Sequence, residues 1–210
     1  MEVNGRIIEL PAPRTDGTSS IEAALRQRRS VREYTDEPLT LAEISQLLWA
    51  AQGVTHGSGR TAPSAGALFP LEIYVVTVRV DGLAPGLYKY RIGEHELLEL
   101  RRGNVHSDLV TAALSQDCVR DAAAVFAIGA VVERTAAKYG DRAVRYVDME
   151  VGAAAQNVSL QAAALGLGTV VVGAFSDARL EEVLCMERKE AALAILPVGR
   201  QRGAQSERVR

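Results

Sequence analysis

Cysteine is scarce: the 210 residues hold two, Cys118 and Cys185. They stand far apart among unlike neighbours, so neither a disulfide framework nor a cysteine metal site is expected. Three histidines, His56, His95 and His106, show no ligand spacing, and no metal is expected. There is no excess charge of one sign: the net charge is -2 and the pI is near 6.0. That excludes general attraction to nucleic acid or to an anionic membrane surface. The start of the chain lacks a charged-then-apolar signal pattern. The longest uncharged stretch, Val151 to Gly168, is interrupted by Gln156, Asn157, Ser159 and Gln161, and falls short of the ~20 apolar residues of a membrane span. The reading is a soluble, cytoplasmic protein. Phosphate-loop and nucleophile-elbow patterns are missing too. Gly166-Leu167-Gly168 has no third glycine and follows a helical stretch, the wrong setting for a dinucleotide fold.

What is present is a chain 48% hydrophobic, enough for one full core. Residues 1–18, with Pro11, Pro13 and Gly17, read as an extended, partly mobile arm. Residues 19–200 read as one domain and 201–210 as a polar tail. Ser19 or Ser20 caps a helix to about Gln27, with Ile21, Ala24 and Leu25 on one face. Arg28 to Tyr34 reads as extended. Thr40 and Glu43 form a capping box for a second helix, whose stripe is Leu41, Ile44, Leu47, Leu48 and Ala51, and Gly53 stops it. Val54 to Pro70 is a long loop. Leu71 to Val80 is a buried strand, and Gly86 to Ile92 with Glu96 to Leu100 a hairpin about Gly93. A helix over Val105–Ser115 and a strand over Ala122–Val132 follow. The longest helix spans Asp141 to Leu165. Its second half carries no charge and so needs the centre of the fold or a partner subunit to cover it. Gly166 and Gly168 end it. A strand over Thr169–Val172, a Ser176-capped helix to Leu184 and a strand over Ala191–Val198 complete an α+β pattern.

Four segments offer chemistry. If Arg28-Arg29-Ser30-Val31-Arg32 is extended, Arg28, Ser30 and Arg32 share one side, which suits a phosphate monoester or a ring that gains negative charge. A solvated basic helix end explains the same residues. In Arg60 to Pro70, the Pro63-Ser64 turn and the small Ala65 and Gly66 let backbone approach a flat ligand, with Ser64 as a donor. An ordinary loop entering a strand is the alternative. Gly173 and Ala174 free a backbone N–H after a strand, or simply turn the chain. Gly199, Arg200 and Arg202 bring positive charge to the end of the last strand, or begin a solvated tail. With no evident nucleophile or metal, the reactive group of an enzyme built this way is an organic cofactor.

Taken in order, these segments resemble the nitroreductase superfamily of FMN enzymes, and within it the SagB-type dehydrogenase branch. The likeness runs from about Ser20 to Arg200. It includes Lys138-Tyr139, Gln156-Asn157 and Gly166 to Thr169. The resemblance implies a mixed central sheet flanked by helices, in an intertwined homodimer with FMN at the interface. By it, Arg28 and Ser30, helped by Arg200 and Arg202, hold the phosphate, and Arg29 or Arg32 faces the ring edge. Pro63, Ser64, Ala65 and Gly66 cover the flavin from the other subunit, and Gly173 and Ala174 place an N–H near N5. It implies hydride transfer between a donor, NAD(P)H or an organic substrate, and a small acceptor. Lys138 and Tyr139 would remove a proton if the chain is an azoline dehydrogenase for modified peptides; otherwise they are a surface pair at a helix end. A non-catalytic FMN-binding subunit of a biosynthetic complex is the remaining reading.

Overall fold

The computed structural model describes residues 5–57 and 59–202. In chain order the elements are β1 (Ile7–Glu9), α1 (Ile21–Gln27), β2 (Leu39–Thr40), α2 (Leu41–Gln52), β3 (Leu71–Thr77), β4 (Val80–Asp81), β5 (Gly86–Arg91), β6 (Glu96–Arg102), α3 (His106–Ala112), α4 (Asp117–Arg120), β7 (Ala124–Ala130), α5 (Val132–Tyr139), α6 (Ala143–Ala164), β8 (Leu167–Thr169), α7 (Asp177–Val183) and β9 (Ala191–Arg200). Seven strands form one sheet in the order β1-β6-β5-β3-β7-β9-β8, and β2 pairs with β4. Every pairing within the large sheet is antiparallel. This corrects the expected mixed sheet: among the described residues, parallel register occurs only between β2 and β4 and at the Ser30–Thr169 bridge.

Helices cover both faces, and the strands show it. On β3, Ile73 and Val75 pack with α2 and α6, whereas Tyr74 and Val76 pack with α3, α4 and α7. Alternate side chains of a strand point to opposite faces, and both sets here are apolar because both faces are covered. β9 obeys the same rule across a break. Pairing with β7 slips between Ile128 and Gly129, so Ala192 joins one core and Ala194, Leu196 and Val198 the other.

The expected caps are present for the first two helices. Ser20 accepts from Ala23 N, and Thr40 and Glu43 form the reciprocal box with Gly53 beyond the last turn. Ser176 precedes α7 but makes no side-chain cap. The longest helix starts two residues later than expected, because Gly140 (φ 53) and a 3-10 turn divide it from α5. The strand expected over Thr169–Val172 is shifted: β8 ends at Thr169, and only Val172 rejoins the sheet, against Ile195.

Residues 5–17 are not a free arm. β1 adds to the edge strand β6, and Arg14 exchanges backbone bonds with the Gln46 side chain at 2.8 and 3.0 Å. His95, in the β5–β6 turn, latches it. Its ring nitrogens lie 2.8 Å from Ser45 Oγ, 2.7 Å from Tyr90 Oη and 3.2 Å from Pro11 O. This is the fate of the turn histidine. The expected tail beyond Arg202 and the first four residues lie outside the described residues.

Burial pushes the His95 pKa below its ordinary 6.5, against a raising effect of the Pro11 carbonyl. Between the lowered folded value and 6.5 the unfolded chain binds more protons, so stability falls as pH drops through that window. Amide hydrogen exchange over Ile7–Leu10, corrected for intrinsic rates, should therefore quicken several-fold below about pH 6.5. His95→Gln should remove that dependence; equal curves for the two proteins would refute the latch.

Candidate functional site

Two of the four sequence segments, Arg28–Arg32 and Gly199–Arg202, meet at one edge of the sheet. Tyr34 anchors the first: its hydroxyl donates to Val31 O at 2.8 Å and Pro197 O at 3.1 Å. Burial pushes the Tyr34 phenol well above its ordinary range, so it stays a neutral donor. Val31 N donates to Thr169 O at 2.9 Å, and Thr35 N to Arg200 O at 2.9 Å. Two glycines permit this approach. A Cβ on Gly168 would lie 2.6 Å from Val31 Cγ1, and one on Gly199 would lie 2.7 Å from the Tyr34 ring. Gly199 thus has a packing role that its place beside two arginines did not reveal.

The arginines of this edge differ. Among the described residues, Arg28, Arg29, Arg32 and Arg202 form no ion pair, whereas Arg200 binds the Glu43 carboxylate at 2.8 and 3.0 Å. Glu43 is also the capping-box residue, accepting from Thr40 N at 2.8 Å. Nη1 and Nη2 of Arg200 are thus held by one carboxylate in a bidentate charged pair. Thr169 adds a second unmet need: its hydroxyl is buried and has no hydrogen-bond partner. Arg28, Arg29, Thr169 and Gln201 border one crevice of only about 10 Å³. Gly173 and Ala174 lie on the exposed connection between β8 and α7. A Cβ on Gly173 would meet nothing within 4 Å, and Ala174 O accepts from Gln116 at 2.8 Å.

The fourth segment is elsewhere in the chain. No hydrogen bond or ion pair among the described residues joins loop 60–69 to Arg28–Arg32. The loop is instead gathered around Phe69. Phe69 N donates to Ser64 Oγ at 2.9 Å, Phe69 O accepts from Arg134 at 3.1 Å, and the Arg60 guanidinium sits 4.4 Å over its ring. Arg134 also pairs with Glu72, which shares Lys89 with Glu190. These grips hold a backbone with positive φ at Gly66 (63°), Ala67 (55°) and Phe69 (46°). For non-glycine residues that region costs about 1–2 kcal/mol each, and such strain gathers at functional sites.

Lys138 and Tyr139 belong to this second group. A Cβ on Gly66 would lie 2.9 Å from Tyr139 Oη and 3.2 Å from Lys138 Nζ. The Tyr139 ring meets Tyr146 edge-on at 5.0 Å. Lys138 is exposed in the single chain, so the burial a lysine base needs is not supplied by this chain alone. Sequence reasoning missed Glu150. It is buried on α6, beside Gln52, whose amide donates to it at 3.5 Å. Gln52 in turn accepts from Arg60 at 3.1 Å. Its spacing from Val147 and Ala154 on the buried face of α6 is the signal that places it inside.

Larger openings lie apart from the arginine crevice, and Thr61 of the loop helps to line one of them. One of about 400 Å³ lies between residues 14–20, α1, α2 and α6, and one of about 500 Å³ lies beside His95. Among the described residues no cluster has metal-ligand composition, and no helix is long and apolar enough to cross a membrane.

Gly66→Ala should lower stability by about 1–2 kcal/mol through its positive φ. For a chain of this size that is a Tm drop of roughly 2–8 °C in thermal unfolding. An unchanged Tm would mean that the loop is not held as described.

Residues 25–200 match the Nitroreductase family. A Methanocaldococcus jannaschii protein assigned to the nitroreductases is 50% identical over 181 residues, covering 86% of this chain and 90% of that protein. The crystal structure of a Ralstonia eutropha JMP134 protein assigned to the nitroreductases superposes with a TM-score of 0.80 at 31% identity, covering 95% of this chain and 91% of that one. The trifolitoxin operon protein TfxC of Rhizobium leguminosarum bv. trifolii is 30% identical over 108 residues, 44% of this chain and 30% of that protein. With the sheet order, the packed arginine segment and the strained loop all in place, the chain belongs to the nitroreductase family of oxidoreductases.

Proposed function

We propose that two copies of this chain bind FMN between them and use it to pass hydride from a donor, NAD(P)H or an organic substrate, to a small acceptor, as in the SagB-type branch. The observation that carries the reading is a set of cations, Arg28, Arg29 and Arg32, with no carboxylate partner among the described residues; the first two border the crevice lined by Thr169, whose buried hydroxyl has no partner. A phosphate supplies what both lack, through charge-assisted bonds. Two facts support the second copy. Among the described residues no hydrogen bond or ion pair joins the arginine edge to the Ser64 loop, and the crevice that Arg28 and Arg29 border, of about 10 Å³, is too small for a cofactor. In addition, α1 packs on α6 with Ile21 and Leu25 58% and 54% exposed, and Val144 and Met149 58% and 63% exposed. Apolar faces of this kind mark protein interfaces.

Bound FMN would supply hydride acceptance and donation. The residues of this chain do the rest. Arg28, Ser30 and Thr169, with Arg202, would hold the phosphate end, and Arg29 or Arg32 would stabilise negative charge at the ring edge. Arg200 keeps the end of β9 against α2 through Glu43. Pro63, Ser64, Ala65 and Gly66 would cover the ring from the second copy, and open space beside Gly173 leaves its backbone accessible. Residues 19–200 act as the one binding domain.

A second reading, an azoline-type dehydrogenase acting on modified peptides, is favoured by the Lys138–Tyr139 pair set against Gly66. The stretch shared with a trifolitoxin operon protein supports it as well.

The purified protein should be yellow and sediment as a dimer. Arg28→Ala with Arg29→Ala should weaken FMN binding at least ~10-fold, since bonds to charged groups contribute about 1.5–3 kcal/mol each. A colourless preparation that also refuses added FMN would sink the reading. Leu25→Asp should yield a monomer and release the flavin together. Anaerobic bleaching by NADH or NADPH marks a reductase; bleaching only by an organic substrate marks the dehydrogenase.

A further inference from the structure

We propose that Gln116 is a positioning residue: its side-chain amide clamps the connection from Val172 to Ser176, so that the N–H groups of Gly173 and Ala174 stand fixed and free as donors to a ligand ring. The ligand acceptor, a ring nitrogen of the flavin, rests on the FMN reading above; the clamp does not.

Gly173 and Ala174 are exposed, and a connection with so little burial is expected to be loose. This one is held at three points. Val172 exchanges both backbone bonds with Ile195, at 2.9 and 3.0 Å, and Ser176 N donates to Ala112 O at 2.9 Å. Between them, Gln116 Nε2 donates to Ala174 O at 2.8 Å. The same nitrogen donates to Ala113 O, also at 2.8 Å. Both partners are carbonyls, so the two protons of one amide NH2 are used in full and the orientation of the side chain is settled. Gln116 follows Leu114 and Ser115, each at φ 59°. Non-glycine residues seldom enter that region; here it turns the chain so that Gln116 reaches back over the end of α3. Phe175 packs against the core that includes Leu109 and Leu180.

The clamp also sets direction. A trans peptide is planar, with its N–H opposed to its C=O, and no described peptide is cis. Val172 O faces Ile195, so Gly173 N–H points away from β9. Ala174 O faces Gln116, so Phe175 N–H points away from α3. The plane between them, with Gly173 O and Ala174 N–H, is caught between two fixed neighbours. Among the described residues, no hydrogen bond within the chain starts from the N–H of Gly173, Ala174 or Phe175. A Cβ on Gly173 would meet nothing within 4 Å, so a flat ring can come up to the backbone. Thr169, whose carbonyl holds Val31 N, stands four residues before Gly173, at most roughly 14 Å away. A ligand whose phosphate lies at the arginine edge can thus reach these donors with its other end. A fixed N–H there favours the oxidised flavin, whose N5 accepts a bond; once N5 carries a hydrogen, it accepts none.

The test uses the full-length protein and two readouts. In flavin-free protein, NMR order parameters of the Gly173 and Ala174 amides should lie near the ~0.85 of rigid backbone. They should fall towards ~0.6 in Gln116→Met, which keeps the length of the side chain and removes both donors. Unchanged values overturn the clamp, whether or not flavin binds. With FMN bound, Gln116→Met should weaken the oxidised form relative to the reduced one by up to ~10-fold, the worth of one hydrogen bond. That raises the two-electron midpoint potential by up to about 30 mV. A wild-type potential in Gln116→Met overturns the positioning role, since a purely structural side chain would lower the Tm and leave the potential alone. If neither protein binds FMN, the cofactor reading fails, while the order parameters still decide the clamp.

Discussion

A helix of 22 residues, about 33 Å long, with no charge in its second half must be covered, and the fold is arranged around that demand on α6. One face lies on the sheet and α2, through Val147, Val151, Ala154 and Val158. The opposite face keeps Gly152 and Gln156 exposed in the single chain. Both groups of functional residues hang on this rod. Asn157 donates to Thr61 O at 3.1 Å, and Glu150 accepts from Gln52, which in turn accepts from Arg60 of the loop. Ser159 and Ala163 border the arginine crevice further along. The same close packing that hides α6 therefore fixes the two groups relative to one another.

Charge is distributed along the chain by the same economy. Arg200 and Glu43 lie 157 residues apart in sequence and tie the last strand to the start of α2. Glu43 serves the cap and the pair together, so the end of β9 and the first turn of α2 stand or fall as a unit. Arg28, Arg29 and Arg32 have no such partner among the described residues. Cations of similar appearance in the sequence thus separate into one paired within the fold and three without a carboxylate partner among the described residues. The buried Tyr74–Glu190–Lys89–Glu72 network continues to Arg134 and so to the carbonyl of Phe69. Through it the sheet interior bears on a loop whose backbone would otherwise relax.

How much of this was legible in the sequence depends on range. The capping box at Thr40 and Glu43, the glycine stop at Gly53 and the hairpin about Gly93 are local chemistry, and they are found where the pattern puts them. Helix α5 was not legible, because VERTAAKY is too short to show a period and Gly140 reads as one more turn residue. Nor was the docking of residues 5–17, whose partners are the edge strand β6 and a histidine some 80 positions away.

For the site, the sequence by itself determined the family, the ordered motifs and the need to cover α6. These follow from residue type and spacing, which the chain carries before it folds. Only the tertiary structure decided that Arg200 is paired, that Gly199 makes room for Tyr34, and that Glu150 is a buried carboxyl beside Gln52. Each of those depends on which distant groups become neighbours and on how much water remains between them. Desolvation and charge pairing have no value until the chain has closed.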